Sequence, residues 1–225
     1  MVRLRSPQVL RLLGIYLLGL VPMSYSQIQA TDKPKEFLTK EFPMTVGSQW
    51  TYLRTDTLIR SIGRKDPIYV TEMETVTVKI TKTNKKKQKE IISEWIRTFN
   101  TEVDTQNVIL KKDTLEFMTP SNPAGSYFTF KIAFPLKAGN RWFGRYGEPP
   151  PDSYKVVQPE SLEVEAGTFA DTYLIERGIW IPNNSIYFKY WVVPNIGIIK
   201  IHKWDQYFGE YQTEDWELIR YDIRK

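Results

Sequence analysis

The sequence predicts an all-β fold: a large curved antiparallel sheet forming a partial or complete barrel of about ten or eleven strands. Three observations predict it. Phe128, Phe130, Ile132 and Phe134 alternate with Tyr127, Thr129 and Lys131, the period-two signature of a half-buried strand. A turn-into-strand pattern occurs twice, as FPMTVGSQWTY at 42–52 and FPLKAGNRWF at 134–143, each placing a glycine three residues before a tryptophan. Turn signals recur at short intervals, and almost no segment carries a helical period. Connections of two to eight residues favour antiparallel neighbours, because a parallel crossover needs roughly a dozen. Rolling the sheet disposes of its edges; a flat two-sheet sandwich is the alternative.

The elements follow in order. The first strand is expected from Ser48 to Ile59. Ile68 to Thr83 is long and β-rich, with Val76, Val78 and Ile80 on one face but Tyr69 and Met73 on the other parity. That phase slip predicts a bulge near Glu74 or a strand exposed differently along its length. Glu90 to Asn100 carries Ile91, Ile92, Trp95 and Phe99 at a spacing a helix would also allow. Its β-branched and aromatic content favours a returning strand. Gln106 to Lys111 and Thr114 to Met118 are shorter strands, and TPSNPAG at 119–125 breaks the chain. The alternating strand 128–134 and the second Gly-x-x-Trp strand come next. EPPPD at 148–152 is a stiff linker. Tyr154 to Val164, Thr168 to Arg177, Ser185 to Val193, Ile196 to Trp204 and Asp215 to Ile223 complete the set. In the last, Trp216 and Leu218 share one parity, and Ile219, Tyr221 and Ile223 the other.

Residues 1–26 read as a secretory signal peptide. Arg3, Arg5 and Arg11 are its only charges, Leu12 to Val21 is nearly continuous apolar chain, and Ser24-Tyr25-Ser26 supplies small residues for cleavage. The apolar run is well short of the ~20 residues that span a bilayer. The expected product starts at Gln27, with a flexible N-terminal lead-in over 27–41 and one β-domain over 42–225. It is expected in the periplasm or secreted, and not integral to a membrane. Cleavage removes three arginines and no acid, so 31 Lys+Arg against 26 Asp+Glu becomes 28 against 26. A balance of +2 excludes a nucleic-acid binder on charge grounds. Lys82, Lys85, Lys86, Lys87 and Lys89 form the one dense basic cluster, expected at a solvated hairpin tip. The chain has no cysteine, which removes disulfides, thiol nucleophiles and thiolate metal sites.

The two Phe-Pro-(Met/Leu)-x-x-Gly-x-x-Trp copies, VEAGTFADTYLI at 164–175, YWVVPNIGIIK at 190–200 and WELIRY at 216–221 together resemble a widespread group of bacterial envelope proteins. Many of these are lipoproteins, with an open curved sheet similar to the DUF3108 and lipoprotein-carrier architectures. The resemblance covers roughly residues 42–223. It implies the fold and an envelope location, and suggests a hydrophobic ligand. It carries no catalytic residue. Lipoprotein members have a cysteine after the signal peptide; this chain has Gln27 there.

Candidate chemistry is sparse. His202 is the only histidine, so a multi-histidine metal site is impossible, and no serine sits in a nucleophile-elbow context. Glu72 with Glu74, and Glu163 with Glu165, are same-face acid pairs. They are the residual route to a carbohydrate-active enzyme, and equally what a solvated sheet face looks like. Asp171 lies between Phe169 and Tyr173 on one parity, where an acid would need a salt-bridge partner. Asp152, Asp171 and Asp205 make no calcium loop, and Asn183-Asn184-Ser185 marks an exposed turn. No catalytic, metal or cofactor residue is assigned. Gly47, Trp50, Gly139, Trp142, Gly167, Pro194 and Gly197 are expected as structural anchors: glycines where turns enter strands, and two comparable buried tryptophans at strand starts. The functional expectation is a non-catalytic binding protein that holds a lipid or acyl chain against a concave sheet face. The alternative is an envelope assembly component docking through an edge strand. A concave face packed solid with Trp and Phe would leave only a core.

Overall fold

The computed structural model describes residues 42–60, 67–85, 90–111, 113–120, 126–144, 153–181, 184–207 and 210–224. The signal peptide, the lead-in to residue 41, Lys86, Lys87, Lys89, Asn183 and the EPPPD linker lie outside them. The described residues contain strands and turns but no helix. The strands are β1 (Gln49–Arg60), β2 (Ile68–Lys85), β3 (Ile91–Thr98), β4 (Val103–Lys111), β5 (Thr114–Pro120), β6 (Ser126–Ala133), β7 (Arg141–Phe143), β8 (Ser153–Val156), β9 (Glu160–Val164), β10 (Gly167–Ile181), β11 (Asn184–Val193), β12 (Gly197–Tyr207) and β13 (Glu210–Asp222).

All thirteen join one antiparallel sheet in the order β6-β5-β4-β3-β2-β1-β13-β12-β11-β10-β8-β7, with β9 pairing β10 off this path. A sandwich of two separate sheets is excluded. The count exceeds the expected ten or eleven in part because the chain from Tyr154 to Val164 makes two strands rather than one. Pro159 has no N–H to give a ladder, and between β8 and β9 the Val157 N–H turns to the Leu174 carbonyl (2.8 Å).

The sheet nearly closes into a barrel. β6 and β7 are neighbours in sequence yet stand at opposite ends of the sheet. Side chains join them: Trp142 Nε1 on β7 donates to the Lys131 carbonyl on β6 (3.1 Å). Phe130 of β6 stacks on Tyr190 of β11, centroids 3.8 Å apart.

Bulges bend the strands toward this closure. β13 carries an extra residue at Ile219, since Thr51 pairs Arg220 and Tyr52 pairs Leu218. This explains the two parities read in β13. β2 runs in unbroken register with β1 from Ile68 to Lys79, so no bulge lies at Glu74. Its first half is exposed because β3 pairs only from Thr77 onward. The β2 irregularity falls at Thr81 instead. In β6, Phe130 pairs Phe117 but Phe128 pairs Met118, so Thr129 interrupts the alternation read there.

The core is the inner face: Trp50, Val78, Ile80, Trp95, Val108, Leu115, Phe117, Phe130, Ile132, Ile175, Val192, Ile199 and Leu218 are buried, capped by Phe42 and Met44 ahead of β1. Ring contacts run through it, Trp50 on Trp95 (5.0 Å), Phe42 on Trp95 (6.0 Å) and Trp95 edge-on to Phe117 (5.6 Å). Such pairs add about 0.5–1.5 kcal/mol each beyond area burial.

Candidate functional site

Along five of the wall strands the inner face changes from apolar to polar or charged in the same direction. On β1, Trp50 and Tyr52 are followed by Arg54 and Asp56. On β13, Leu218 and Trp216 precede Glu214 and Gln212 in space, the strand running the other way. On β12, Ile199 and Ile201 lead to Lys203 and Asp205; on β3, Trp95 leads to Arg97; on β4, Leu110 and Val108 lead to Gln106 and Asp104. Antiparallel register lines these transitions up: Arg54 faces Trp216 and Glu74, Asp56 faces Glu214, and Lys203 faces Glu214. One end of the interior is therefore packed and apolar, and the other is polar.

At the transition the packing leaves a cavity of about 200 Å³. Tyr52, Val78, Trp95, Phe117, Phe130, Phe188, Tyr190, Ile201 and Trp216 make its apolar wall. Arg97, Gln106, Lys203 and Glu214 make its polar end. The concave face is thus neither an open trough nor packed solid.

Most polar groups around the cavity are already engaged. Glu214 Oε1 accepts from Arg54 Nε (2.9 Å) and from Trp216 Nε1 (2.7 Å). Arg97 forks onto Asp104, with Nε to Oδ1 at 2.8 Å. Tyr52 donates its hydroxyl to the Ile198 carbonyl (2.8 Å), and burial pushes this phenol far above its usual pKa. Two donors are not engaged in this way. Lys203 Nζ lies 3.8 Å from Asp205 and 4.0 Å from Glu214, beyond hydrogen-bond distance. Trp95 is only 5 % exposed and its indole N–H has no hydrogen-bond partner among the described residues. Gln106 is similarly buried.

Arg54 is the hub of the charged layer. It also reaches Glu74, and Asp56 at 3.2 Å; Asp56 in turn accepts from Gln212 Nε2 (2.9 Å). Burial alone would lower the Arg54 pKa, but the Glu74 hydrogen bond and the charges of Glu214 and Asp56 raise it. The Arg54 guanidinium holds Glu74 below its usual pKa, aided by the Asn100 N–H. A second hollow of about 520 Å³ opens here, lined by Arg54, Asp56, Glu72, Glu74, Phe99 and Glu102 among others.

A depressed carboxyl pKa stabilises the fold above the unfolded value, 4.5 for glutamate. The contribution is lost as pH falls through the lower folded value. Partial exposure keeps it to about 0.2–1 kcal/mol. Glu74→Gln is therefore expected to flatten the fall in melting temperature below pH 4.5 relative to wild type. Superimposable melting profiles between pH 7 and 3 would show that the pair adds nothing.

The other singled-out residues lie elsewhere. His202 and Asp215 face each other on β12 and β13, with Nδ1 and Oδ1 2.7 Å apart, on the parity opposite Lys203 and Glu214. Glu163 and Glu165 are exposed. Asp171 is exposed too: the β9–β10 ladder is irregular between Phe169 and Thr172, which turns the acid outward. It needs no buried partner. Asp205 lies on the inner face near Lys203. Among the described residues no group of acids and histidine could hold a metal ion.

The anchors are not equivalent. Gly47, Gly139, Gly167 and Gly197 all have positive φ, as does Asn195 after Pro194. Trp50 is 1 % exposed and donates Nε1 to the Ile196 carbonyl (2.7 Å). Trp142 is only partly buried, stacked on Tyr154 at 5.4 Å. Its strand has three residues and ends the sheet, paired with β8 alone.

Sequence reasoning passed over Arg54, Lys203 and Glu214. The signal was present: W-x-Y-x-R-x-D in β1 and I-x-I-x-K-x-D in β12 each place charges on the apolar parity.

No protein-family profile matches the chain, and no curated protein matches it. The solved structures that the chain is similar to include two bacterial proteins. One, a protein assigned as exported with a YmcC-like fold, comes from Bacteroides fragilis: 14% identity, 80% of this chain and 98% of that chain, TM-score 0.39. The other, a protein assigned as a lipoprotein, comes from Parabacteroides distasonis: 12% identity, 80% of this chain and 97% of that chain, TM-score 0.42.

Proposed function

We propose that this chain is an exported, non-catalytic binding protein that takes the apolar part of a small amphiphile into the aromatic-walled cavity of its barrel. The observation that carries this is the cavity itself. Side chains from β1 to β6 and from β11 to β13 converge on a space they do not fill, apolar at one end and charged at the other. Cavities of this make-up are the usual form of a small-molecule site. Its 200 Å³ is below the ~300 Å³ lower end of pockets for drug-sized ligands, which favours a single chain or a small ring. Export rests on the signal-peptide pattern of residues 1–26 and places the mature N-terminus at Gln27.

The test is native mass spectrometry of the purified protein with lipid extraction, beside an Ile201→Trp variant that fills the cavity. Wild type is expected to carry a co-purified amphiphile. The variant is expected to lose it while melting within a few degrees of wild type. Absence of any amphiphile on wild type, together with no uptake of added ones, would overturn the reading.

One observation favours a second reading, an assembly role. On its β3 side the backbone of β2 from Ile68 to Val76 pairs with no strand among the described residues, and Ile68, Tyr69, Val70 and Met73 are exposed there. An unpaired, apolar edge is suited to strand addition by a partner. A stoichiometric protein in the same spectra, lost on Val70→Pro, would support it.

A further inference from the structure

We propose that the cavity selects an amphiphile with a carboxylate head, and that Lys203 is the residue that pairs with it. This rests on the cavity being a ligand site and adds the class of ligand. The argument is a count of unspent hydrogen-bonding capacity at the cavity wall. Its one carboxylate, Glu214, already accepts from Arg54 and Trp216. Its guanidinium, Arg97, is forked onto Asp104. Tyr52 already donates its hydroxyl to the Ile198 carbonyl.

What remains at the wall is chiefly donor capacity; Asp205 Oδ1, a buried acceptor without a partner among the described residues, stands beside Lys203 but does not line the cavity. Lys203 is held in two loose ion pairs, to Asp205 (3.8 Å) and Glu214 (4.0 Å), so its charge is partly met, but among the described residues none of its three N–H groups makes a hydrogen bond to a carboxylate. Trp95 has a buried N–H with no acceptor among the described residues, a group that costs free energy until an acceptor reaches it. A hydrocarbon would leave both unmet, and a cationic head would meet Lys203 and Arg97 head on. An oxygen acid satisfies the ammonium with a charge-assisted hydrogen bond and brings a second acceptor oxygen into the same space. The small volume favours a carboxylate over the bulkier phosphate.

Isothermal titration of the stripped protein with four ten-carbon probes tests this: decanoate, decanol, decyltrimethylammonium and decyl phosphate. Decanoate is expected to bind about tenfold tighter than decanol, the usual scale of one charge-assisted hydrogen bond. Lys203→Met is expected to bring decanoate affinity down to that of decanol measured on the same variant. Lys203 is part-exposed, so the variant folds without a buried vacancy. Trp95→Phe, which keeps a ring but removes the N–H, is expected to weaken decanoate several-fold. Equal binding of the four probes, tighter binding of the cation, or a Lys203→Met variant with unaltered decanoate affinity would overturn the carboxylate assignment and leave the cavity reading standing. A tenfold preference for decyl phosphate would overturn it in favour of a phosphate head. Failure of all four to bind would instead strike the cavity reading itself.

Discussion

Trp50→Ala is expected to lower folding stability by about 3–5 kcal/mol, the range for truncating a fully buried aromatic side chain. Three losses combine. The ring is 1 % exposed, so almost all of its transfer free energy is realised. It stacks on Trp95, 5.0 Å away, so truncation leaves a cavity beside the central aromatic of the core. Its N–H satisfies the Ile196 carbonyl in the turn between β11 and β12. The hydrogen bond spans 146 residues and ties the start of β1 to that turn. Urea denaturation checks this: the midpoint is expected to fall strongly with the slope unchanged. A fall worth under ~1 kcal/mol would mean that the ring anchors nothing. Trp50→Phe should retain part of the packing and cost less.

Gly197→Ala is expected to cost about 2–3 kcal/mol, from backbone strain plus crowding. Gly197 opens β12 with φ +108°, a conformation L side chains rarely adopt. A Cβ there would stand 3.3 Å from Phe42 Cζ and 3.4 Å from Trp50 Nε1, against a packed stack that has little room to yield. Gly139→Ala isolates the strain. Its φ is +85°, yet a Cβ would meet nothing within 4 Å, so it should cost less than Gly197→Ala. Equal losses at the two sites would show that contact with Phe42 and Trp50 is irrelevant. The Gly197 and Trp50 substitutions share a contact, so their double variant should lose less than the sum.

The feature behind both predictions was half visible in the chain. Glycine three residues ahead of tryptophan marks a turn entering a strand, and that much is local chemistry. Nothing local says that Gly197, 146 residues beyond Thr51, closes over the Trp50 ring. The same division holds at the cavity. Alternation in β1 and β12 shows charges following aromatics on one parity. Only the pairing of β1 with β13, and of β13 with β12, brings Arg54, Glu214 and Lys203 to one level.

Taken alone, the sequence determined the strand content, the antiparallel habit and the turns, because each rests on period-two patterning, short connections and residues with special backbone freedom. All are properties of a few neighbouring residues. The tertiary structure alone decided where the extra residues fall, Thr81, Thr129, Ile199 and Ile219 among them, and with them which parity faces inward beyond each bulge. It alone brought β6 round to β7, left Trp142 half out of the core, and kept a cavity among rings numerous enough to fill it. These outcomes depend on the register of strands far apart in the chain and on how side-chain volumes sum across the barrel. One strand cannot encode either, because each is a property of its partners as much as of itself.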